Sequence, residues 1–388
     1  MTKDSEHLTL PTSLPREGYV SRQSFEHEMR AIHETTWLYA GHVSQIPHAG
    51  DVLVRSVGST ESVLIVRQPD GGFAAMHNVC RHRGSRLCDD DAQGLRMLVC
   101  PYHQWTYDLT GRLKSARGLG PGDVESSGSW NLVPVRVEEW RGHLFINLSS
   151  EPATSIAAEL EARCSDLAAF EPNRCKVAYE QTYLVRANWK LLMENFWECF
   201  HCRIGHPELA FTLDVPALYL GEFATVALPG EAPTLVESAG LPLKLGALTA
   251  SLDGKAISKR LLGAFGVEDM TPPGPSAGFI LRHSTAASYF VDYGILHDFR
   301  PVSPDQTEVL CQWFVHADAV EGVDYDLATL ISLWSTTNDQ DWLIAERNQL
   351  GVQSTRYTPG PLTRPWETGV NEFYRFCDHL LSSQERNL

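Results

Sequence analysis

No stretch of the sequence approaches the roughly 18 consecutive apolar residues that a helix needs to cross a bilayer. Six polar residues follow Met1, and Pro11 and Pro15 come after them, so the N-terminus contains neither the apolar core of a secretory signal nor an Arg-rich amphipathic leader. We therefore expect a cytoplasmic protein that does not bind membranes.

Positive charge is also scarce. The chain has 32 Lys and Arg residues against 48 Asp and Glu residues, which gives a formal net charge of −16. Binding to a phosphate backbone relies on clustered Lys and Arg side chains, and the sequence shows no such cluster. A nucleic acid is therefore not expected as a partner.

A length of 388 residues predicts two domains. Residues 24–39 carry apolar side chains at spacings of three and four, which indicates a helix. Short apolar runs separated by turns fill residues 40–150 and predict a small antiparallel β domain. The pattern changes to mixed helix and strand after Pro152. We predict an α+β protein with an N-terminal helical segment (1–39) that packs on the catalytic domain, a β domain (40–152) and the catalytic domain itself (153–388).

The second half predicts a large antiparallel sheet and one long helix. Residues 288–300 alternate as a single strand, with Tyr289 and Tyr293 on the same face. A turn at Pro301–Asp305 separates this strand from the next one, Glu308–Val315, so the two should form a hairpin. A helix is predicted from about Asp326 to Leu350, with an apolar stripe along one side.

The nine cysteines are an odd number in a chain without a secretory signal, which favours metal ligation over a disulfide framework. Cys80-x-His82 and Cys100-x-x-His103 form two loops that each supply one cysteine and one histidine. Such a set can hold a tetrahedral zinc or a [2Fe–2S] cluster. Zinc fingers usually group the two cysteines together, whereas here each loop can reach both irons of a binuclear cluster, so the order favours the cluster.

A second set of candidate ligands lies near the middle of the chain. On one helix, Glu194, Glu198 and His201 would fall within a sector of about 60°, but His206 would lie about 140° from His201. The helix must therefore break near Gly205 if both histidines bind one metal. Two histidines and one carboxylate form the facial triad of an O2-activating ferrous site.

The carboxylate must come from another part of the chain, and the long C-terminal helix offers Asp339 and Asp341. Asp341 lies within about 20° of Trp334 on the apolar stripe, while Asp339 points about 140° away. We choose Asp341, because a carboxylate on an apolar stripe is costly unless a cation neutralises it. Cys199 and Cys202, which imitate a Cys-x-x-Cys redox or metal motif, are expected to be packing residues.

With both sets in view, the chain from about Leu14 to Leu381 resembles the α-subunits of Rieske non-haem iron oxygenases, the ring-hydroxylating family. The resemblance implies a helix-grip (START-like) catalytic domain with an antiparallel sheet, and a homotrimer in which the cluster of one subunit serves the iron of its neighbour. It also implies that His201, His206 and Asp341 bind Fe(II), and that Glu198 connects His201 to His103 of the adjacent subunit.

Two departures narrow the resemblance. Most ring hydroxylases have Asp where Glu198 stands and Gly where Gln104 stands, and both changes are similar to the branch that acts on glycine betaine, proline betaine, choline and carnitine. This implies O2-dependent hydroxylation and N-demethylation of a quaternary ammonium compound. The alternatives are aromatic ring hydroxylation or O-demethylation and, outside enzymes, a Rieske electron carrier or a zinc-bearing ligand-binding protein.

Two further expectations concern the electron source and the substrate. The glycine-rich stretch at Gly118–Gly122 is not followed by a helical apolar pattern, so NAD(P)H is expected to act through a separate flavin or iron–sulfur reductase. A quaternary ammonium group would need aromatic rings for cation–π attraction. The candidates are Tyr289, Phe290, Tyr293 and Trp313, although aromatic residues of a strand also form ordinary core.

Overall fold

The structure is a computed structural model that describes residues 10–58, 60–125, 128–150, 153–220, 233–266 and 269–385. Its N-terminal part contains α1 (Arg16–Val20) and α2 (Arg22–Glu28), followed by a π-helical turn at Met29–His33. The predicted helix over 24–39 is thus too long. The Thr35 and Thr36 hydroxyls donate to carbonyls of the preceding turn, a bond that competes with helix propagation, and the chain then becomes a strand.

The first half of the chain is built from two antiparallel sheets. Six strands lie in the spatial order β1-β9-β8-β4-β3-β2, and three short strands form a second sheet in the order β5-β6-β7. This confirms the predicted small antiparallel β unit. The strands are β1 (Leu38–His42), β2 (Val52–Val57), β3 (Glu61–Arg67), β4 (Phe73–His77), β5 (Leu98–Val99), β6 (Thr106–Tyr107), β7 (Leu113–Ser115), β8 (Pro134–Trp140) and β9 (His143–Asn147), with α3 (Pro121–Glu125) between β7 and β8.

The second half contains a six-stranded antiparallel sheet in the order β10-β15-β14-β13-β12-β11, with helices around it. The predicted long helix is present as α9. In chain order the elements are α4 (Ile156–Arg163), β10 (Cys175–Val185), α5 (Trp189–Phe196), α6 (Cys202–Gly205), α7 (Leu209–Thr212), α8 (Val215–Leu220), β11 (Val236–Ser238), β12 (Ser276–Leu281), β13 (Thr285–Phe290), β14 (Gly294–Ser303), β15 (Gln306–His316), α9 (Leu327–Val352) and α10 (Thr368–Glu385).

The prediction of a single strand over 288–300 is wrong, because a turn at 291–293 divides this segment into β13 and β14. Tyr289 pairs with Gly294 at the start of the returning strand. The predicted hairpin of β14 and β15 is confirmed.

The large sheet buries a different set of side chains on each face. One face packs with α5, α9 and α10 into the largest core cluster, which includes Trp313 and Trp334. The other face packs against the first half of the chain through Phe279, Phe314 and Phe145. The Asp326 side chain caps α9 by accepting a hydrogen bond from the backbone N–H of Thr329. Among the described residues, no helix combines the length and the apolar character required to cross a membrane.

Candidate metal centres

The two Cys/His loops close by the same turn. The backbone N–H of Gly84 donates to the Cys80 carbonyl at 2.9 Å, and that of Gln104 donates to the Cys100 carbonyl at 3.0 Å. Both closing residues have left-handed backbones, with φ of 77° at Gly84 and 60° at Gln104. Glycine adopts this conformation without strain. The left-handed backbone at position 104 therefore explains why glycine is suited to this position, which Gln104 occupies in this chain.

The loops separate their thiols from their imidazoles. Cys80 and Cys100 are each 2% exposed, while His82 and His103 lie nearer the surface with ring centroids 4.6 Å apart. Burial disfavours the Cys100 thiolate, but hydrogen bonds from the N–H groups of Tyr102 and His103 outweigh it and lower the pKa of this thiol. Two inner sulfurs and two outer imidazoles fit a binuclear cluster with a different ligand pair on each iron.

The helix that carries the second set of candidates ends earlier than the sequence predicted. α5 stops at Phe196, and α6 is a single turn with His201 at its N-cap and His206 at its C-cap. The predicted break at Gly205 is present, but a second break at 197–201 means that Glu198 and His201 do not share a helix with Glu194. The two histidines instead bracket one short turn, with ring centroids 5.1 Å apart.

Asp341 meets both histidines from α9. Its Oδ1 lies 2.9 Å from His206 Nε2 and 3.3 Å from His201 Nε2. Both His206 Nε2 and Asp341 Oδ1 are buried without a hydrogen bond of acceptable geometry. Donors bound about 2.1 Å from one metal stand about 3.0–3.4 Å apart, so the observed spacings fit a shared cation. The exposed Asp339 takes no part in this group.

Hydrogen bonds orient both rings so that Nε2 faces Asp341. His206 Nδ1 lies 2.9 Å from Gln340 Oε1, and the Gln340 amide in turn donates to Glu208. His201 Nδ1 contacts Glu198 Oε1. Such outer partners fix the imidazole tautomer at metal sites. Without a metal, burial lowers the pKa of His201, but Asp341 and Glu198 outweigh this effect and raise the pKa to about 9.

The two central cysteines depart from the prediction that they are only packing residues, because Cys199 and Cys202 form a disulfide. The other seven cysteines are free. The Cys202 sulfur lies 3.8 Å from His201 Nε2. His201, Cys202 and His206 place one potential ligand atom each within 4.8 Å of one another.

The four aromatic residues predicted to contact substrate do not share one environment. Tyr289 belongs to the sheet face that packs on the first half of the chain, and its hydroxyl lies 2.9 Å from His143 Nε2. Its predicted position beside Tyr293 is wrong, because the turn at 291–293 reverses the chain between them. Phe290, Tyr293 and Trp313 lie on the opposite face, where α9 packs. There the Trp334 indole donates to the Tyr293 hydroxyl at 2.8 Å.

A cleft of about 410 Å³ adjoins Glu198 and His201. Its lining includes the carboxylates of Glu194, Glu198 and Glu367 and no Lys or Arg side chain. Burial raises the pKa of Glu194 to about 7, and its Oε1 has no hydrogen-bond partner. The cleft is therefore acidic where it reaches the candidate metal site.

Sequence reasoning missed several residues near this site. Asn195 places its amide nitrogen 3.2 Å from His201 Nε2, and Gln340 fixes His206. His297 on β14 lies 2.9 Å from Asn338, one turn before Asp341, and burial lowers the pKa of His297 to about 4. Gln340 directly precedes Asp341 and Asn195 directly follows Glu194, so both residues lay next to candidates that the sequence offered, whereas the contact between His297 and Asn338 depends on tertiary packing.

Two protein families match the chain. Residues 172–383 match the family "Ring hydroxylating alpha subunit (catalytic domain)", and residues 36–133 match "Rieske [2Fe-2S] domain". The first match alone covers more than half of the 388 residues.

The chain is also similar to curated proteins and to a solved structure. It is 37% identical to the glycine betaine monooxygenase oxygenase subunit of Chromohalobacter salexigens, over 95% of this chain and 86% of that protein. It is 34% identical to the carnitine monooxygenase oxygenase subunit of Acinetobacter baumannii, over 52% and 55% of the two chains. The crystal structure of a quaternary ammonium Rieske monooxygenase with L-carnitine superposes with a TM-score of 0.70 at 23% identity, covering 97% of this chain and 96% of that one, which is a likeness of fold.

Proposed function

Because the chain belongs to the ring-hydroxylating α-subunit family of Rieske non-haem iron oxygenases, we propose that it demethylates a quaternary ammonium compound, with a betaine as the first candidate. One observation carries this proposal, namely 37% identity to a glycine betaine monooxygenase oxygenase subunit along 95% of the chain. The aromatic ring hydroxylases share the fold, but similarity over nearly the whole chain favours the betaine branch.

The residues divide between two metal centres. Cys80, His82, Cys100 and His103 would hold the [2Fe–2S] cluster, and His201, His206 and Asp341 would hold Fe(II) with positions left open. When bound, these groups supply the redox chemistry and the activation of O2. We propose that residues 40–152 serve the first centre and 153–388 the second, with residues 1–39 packed on the second.

The chain itself orients the ligands and controls charge. Gln340 accepts a hydrogen bond from His206 Nδ1 and so directs the Nε2 lone pair at the site. Glu198 does the same for His201 and borders the acidic cleft. Asp341 brings one negative charge into a position where it is 7% exposed, which a divalent cation would neutralise.

We propose a homotrimer in which His103 of a neighbouring subunit enters the cleft and approaches Glu198. The cleft supports this arrangement, because its lining holds three Glu carboxyl groups and no Lys or Arg side chain, while the cluster loops carry Arg81 and Arg83 at an exposed surface. Opposite charges at such surfaces favour docking. A separate flavin or iron–sulfur reductase would supply electrons from NAD(P)H, and the cytoplasm is the compartment that provides this donor.

The proposed reaction balances as follows. A trimethylammonium substrate, O2, NADH and one proton give the protonated dimethylamine, formaldehyde, NAD+ and water. Hydroxylation of an N-methyl C–H bond produces a carbinolamine, and loss of formaldehyde breaks the C–N bond. The aromatic candidates for cation–π attraction to the ammonium group lie on the sheet face that packs against α9, and they are Phe290, Tyr293 and Trp313. Tyr289 lies on the opposite face of the sheet.

The test is turnover of purified protein with a surrogate reductase on glycine betaine, proline betaine, choline, carnitine and a set of aromatic acids. We expect formaldehyde and the demethylated amine in equal amounts from at least one quaternary ammonium compound. An arene diol, or formaldehyde from a methoxy-substituted ring alone, would replace the proposal with ring hydroxylation or O-demethylation.

A further inference from the structure

Oxygenase chemistry consumes protons inside the protein. Hydroxylation of a C–H bond takes O2, two electrons and two protons, and it gives an alcohol and water. The electrons arrive through an iron–sulfur cluster, which transfers electrons alone, while NAD(P)H gives up its proton at the separate reductase. Both protons must therefore reach the mononuclear site through the side chains or the water of this chain.

The acidic cleft offers a route for these protons. Its lining includes Asn348 and Thr358, which are exposed, as well as Glu198 and His201 at the candidate metal site. A cleft of about 410 Å³ with polar walls is large enough to hold several water molecules. The cleft therefore connects the solvent with the ligands of the mononuclear metal.

The three carboxyl groups that line the cleft differ in their hydrogen bonds. Both oxygens of Glu198 accept hydrogen bonds, one of them from His201 Nδ1. Glu367 accepts from the N–H and the hydroxyl of Thr363, at 2.7 and 2.8 Å. Glu194 alone has a buried oxygen, Oε1, without a partner. This oxygen is available to exchange a proton with water, whereas the other two carboxyl groups are held by the protein.

We propose that Glu194 is the proton relay of the mononuclear site and passes protons from the solvent end of the cleft to the reacting oxygen beside His201. The carboxylic acid loses its proton to water in the cleft, and the carboxylate regains one from the solvent end, so two cycles supply the two protons that each O2 takes. This inference rests on the proposed oxygenase function and iron site. It does not depend on the substrate class, since N-methyl hydroxylation and arene dihydroxylation both take two protons per O2.

The surroundings of Glu194 keep its carboxyl group partly protonated at neutral pH. Burial raises its pKa to about 7, and the negative charge of Glu367 acts in the same direction. The hydroxyls of Tyr19 and Tyr374 and the ammonium group of Lys190 oppose burial without outweighing it. A side chain transfers protons best when its pKa lies near the working pH. Glu194 meets this condition.

The first measurement needs no turnover. Infrared difference spectra of the purified holoenzyme should show the carbonyl band of one protonated carboxyl group, which disappears with a midpoint near pH 7. Glu194→Gln should lack this band. Glu346→Gln is the matched control and should keep it, because the Glu346 carboxylate lies outside the cleft and accepts from the Arg186 N–H at 3.1 Å. A band that survives in Glu194→Gln would overturn the proposal.

The second measurement follows product formation in a single turnover, when reduced holoenzyme is mixed with O2 and substrate. The wild-type rate should fall as the pH rises above about 7, since the acid form of Glu194 supplies the proton. Glu194→Gln should be slower by about 100-fold, the lower end of the range for proton transfer by a side chain, and should lose this pH dependence. Formate should restore the rate in Glu194→Ala, which leaves room for it, but not in Glu194→Gln.

Each alternative outcome has its own reading. Equal rates and equal pH profiles for wild type and Glu194→Gln would overturn the relay. Loss of the mononuclear iron from Glu194→Gln, measured against acid-labile sulfide, would also overturn it and assign Glu194 a structural role. A wild type that forms an arene diol and no formaldehyde would refute the proposed substrate class, and the relay would then be scored on the diol.

Discussion

Replacement of Asp341 by Ala is the sharpest test of the mononuclear site. Asp341 Oδ1 lies within 3.3 Å of both His201 Nε2 and His206 Nε2, so it is the only described carboxylate oxygen placed between the two imidazoles. Loss of outer-shell partners alone costs about 10–100-fold in metal affinity. Removal of a direct ligand should therefore cost at least about 100-fold, or roughly 2.7 kcal/mol.

The assay is the ratio of iron to acid-labile sulfide, with O2 uptake measured in parallel. Wild type should contain about three irons per two sulfides, and Asp341→Ala about two per two, because the cluster is held by other loops. Asp339→Ala is the matched control on the same helix, since this side chain is exposed, and it should keep all three irons. An Asp341→Ala protein that retains the third iron, or an Asp339→Ala protein that loses it equally, would refute this assignment.

Three more outcomes are expected. Gln340→Leu should weaken the mononuclear iron by about 10–100-fold in competition with a chelator, because His206 Nδ1 loses its acceptor. Glu198→Gln should keep iron and sulfide contents while formaldehyde production falls at least tenfold, and equal turnover would exclude Glu198 from the electron path. Burial raises the pKa of Glu194 from 4.5 to about 7, so the folded state retains a proton that the unfolded state loses, and stability falls as pH rises from about 4.5 to 7. The free energy of unfolding of Glu194→Gln should therefore rise relative to that of wild type between pH 5 and pH 8, by up to about 3 kcal/mol, and the thermal midpoints of the two proteins should diverge in the same direction. A difference that stays constant with pH would contradict the buried carboxyl.

The sequence predicted Asp341 over Asp339 from helical geometry alone. The structure places Asp341 beside both histidines because α9 is long and regular, so angular positions seven residues apart persist from Trp334 to Asp341; its role as a ligand stays a prediction. The same reasoning failed for Glu198 and His201, because α5 ends at Phe196 and no proline or glycine marks that end. A tertiary contact holds the residue at this end, because the Trp197 indole donates to the Arg282 carbonyl.

The hairpin of β13 and β14 is a second feature that the sequence pattern did not predict. Apolar side chains continue to alternate along the sequence through the three-residue turn. Residues 288–300 therefore read as one strand, although the chain reverses direction at Asp292. The backbone N–H groups of Ile257 and Ser258 hold the Asp292 carboxylate from a distant loop. Tyr289 and Tyr293 consequently face opposite sides of the sheet.

The sequence by itself determined which residue types are available for two metal centres, because the spacing of Cys and His in a short loop fixes what that loop can bind. The tertiary structure alone decided which groups meet. It brought Asp341 and Gln340 from α9 to the turn that holds His201 and His206. Contacts between residues more than one hundred positions apart depend on the packing of whole elements, and no local pattern encodes them.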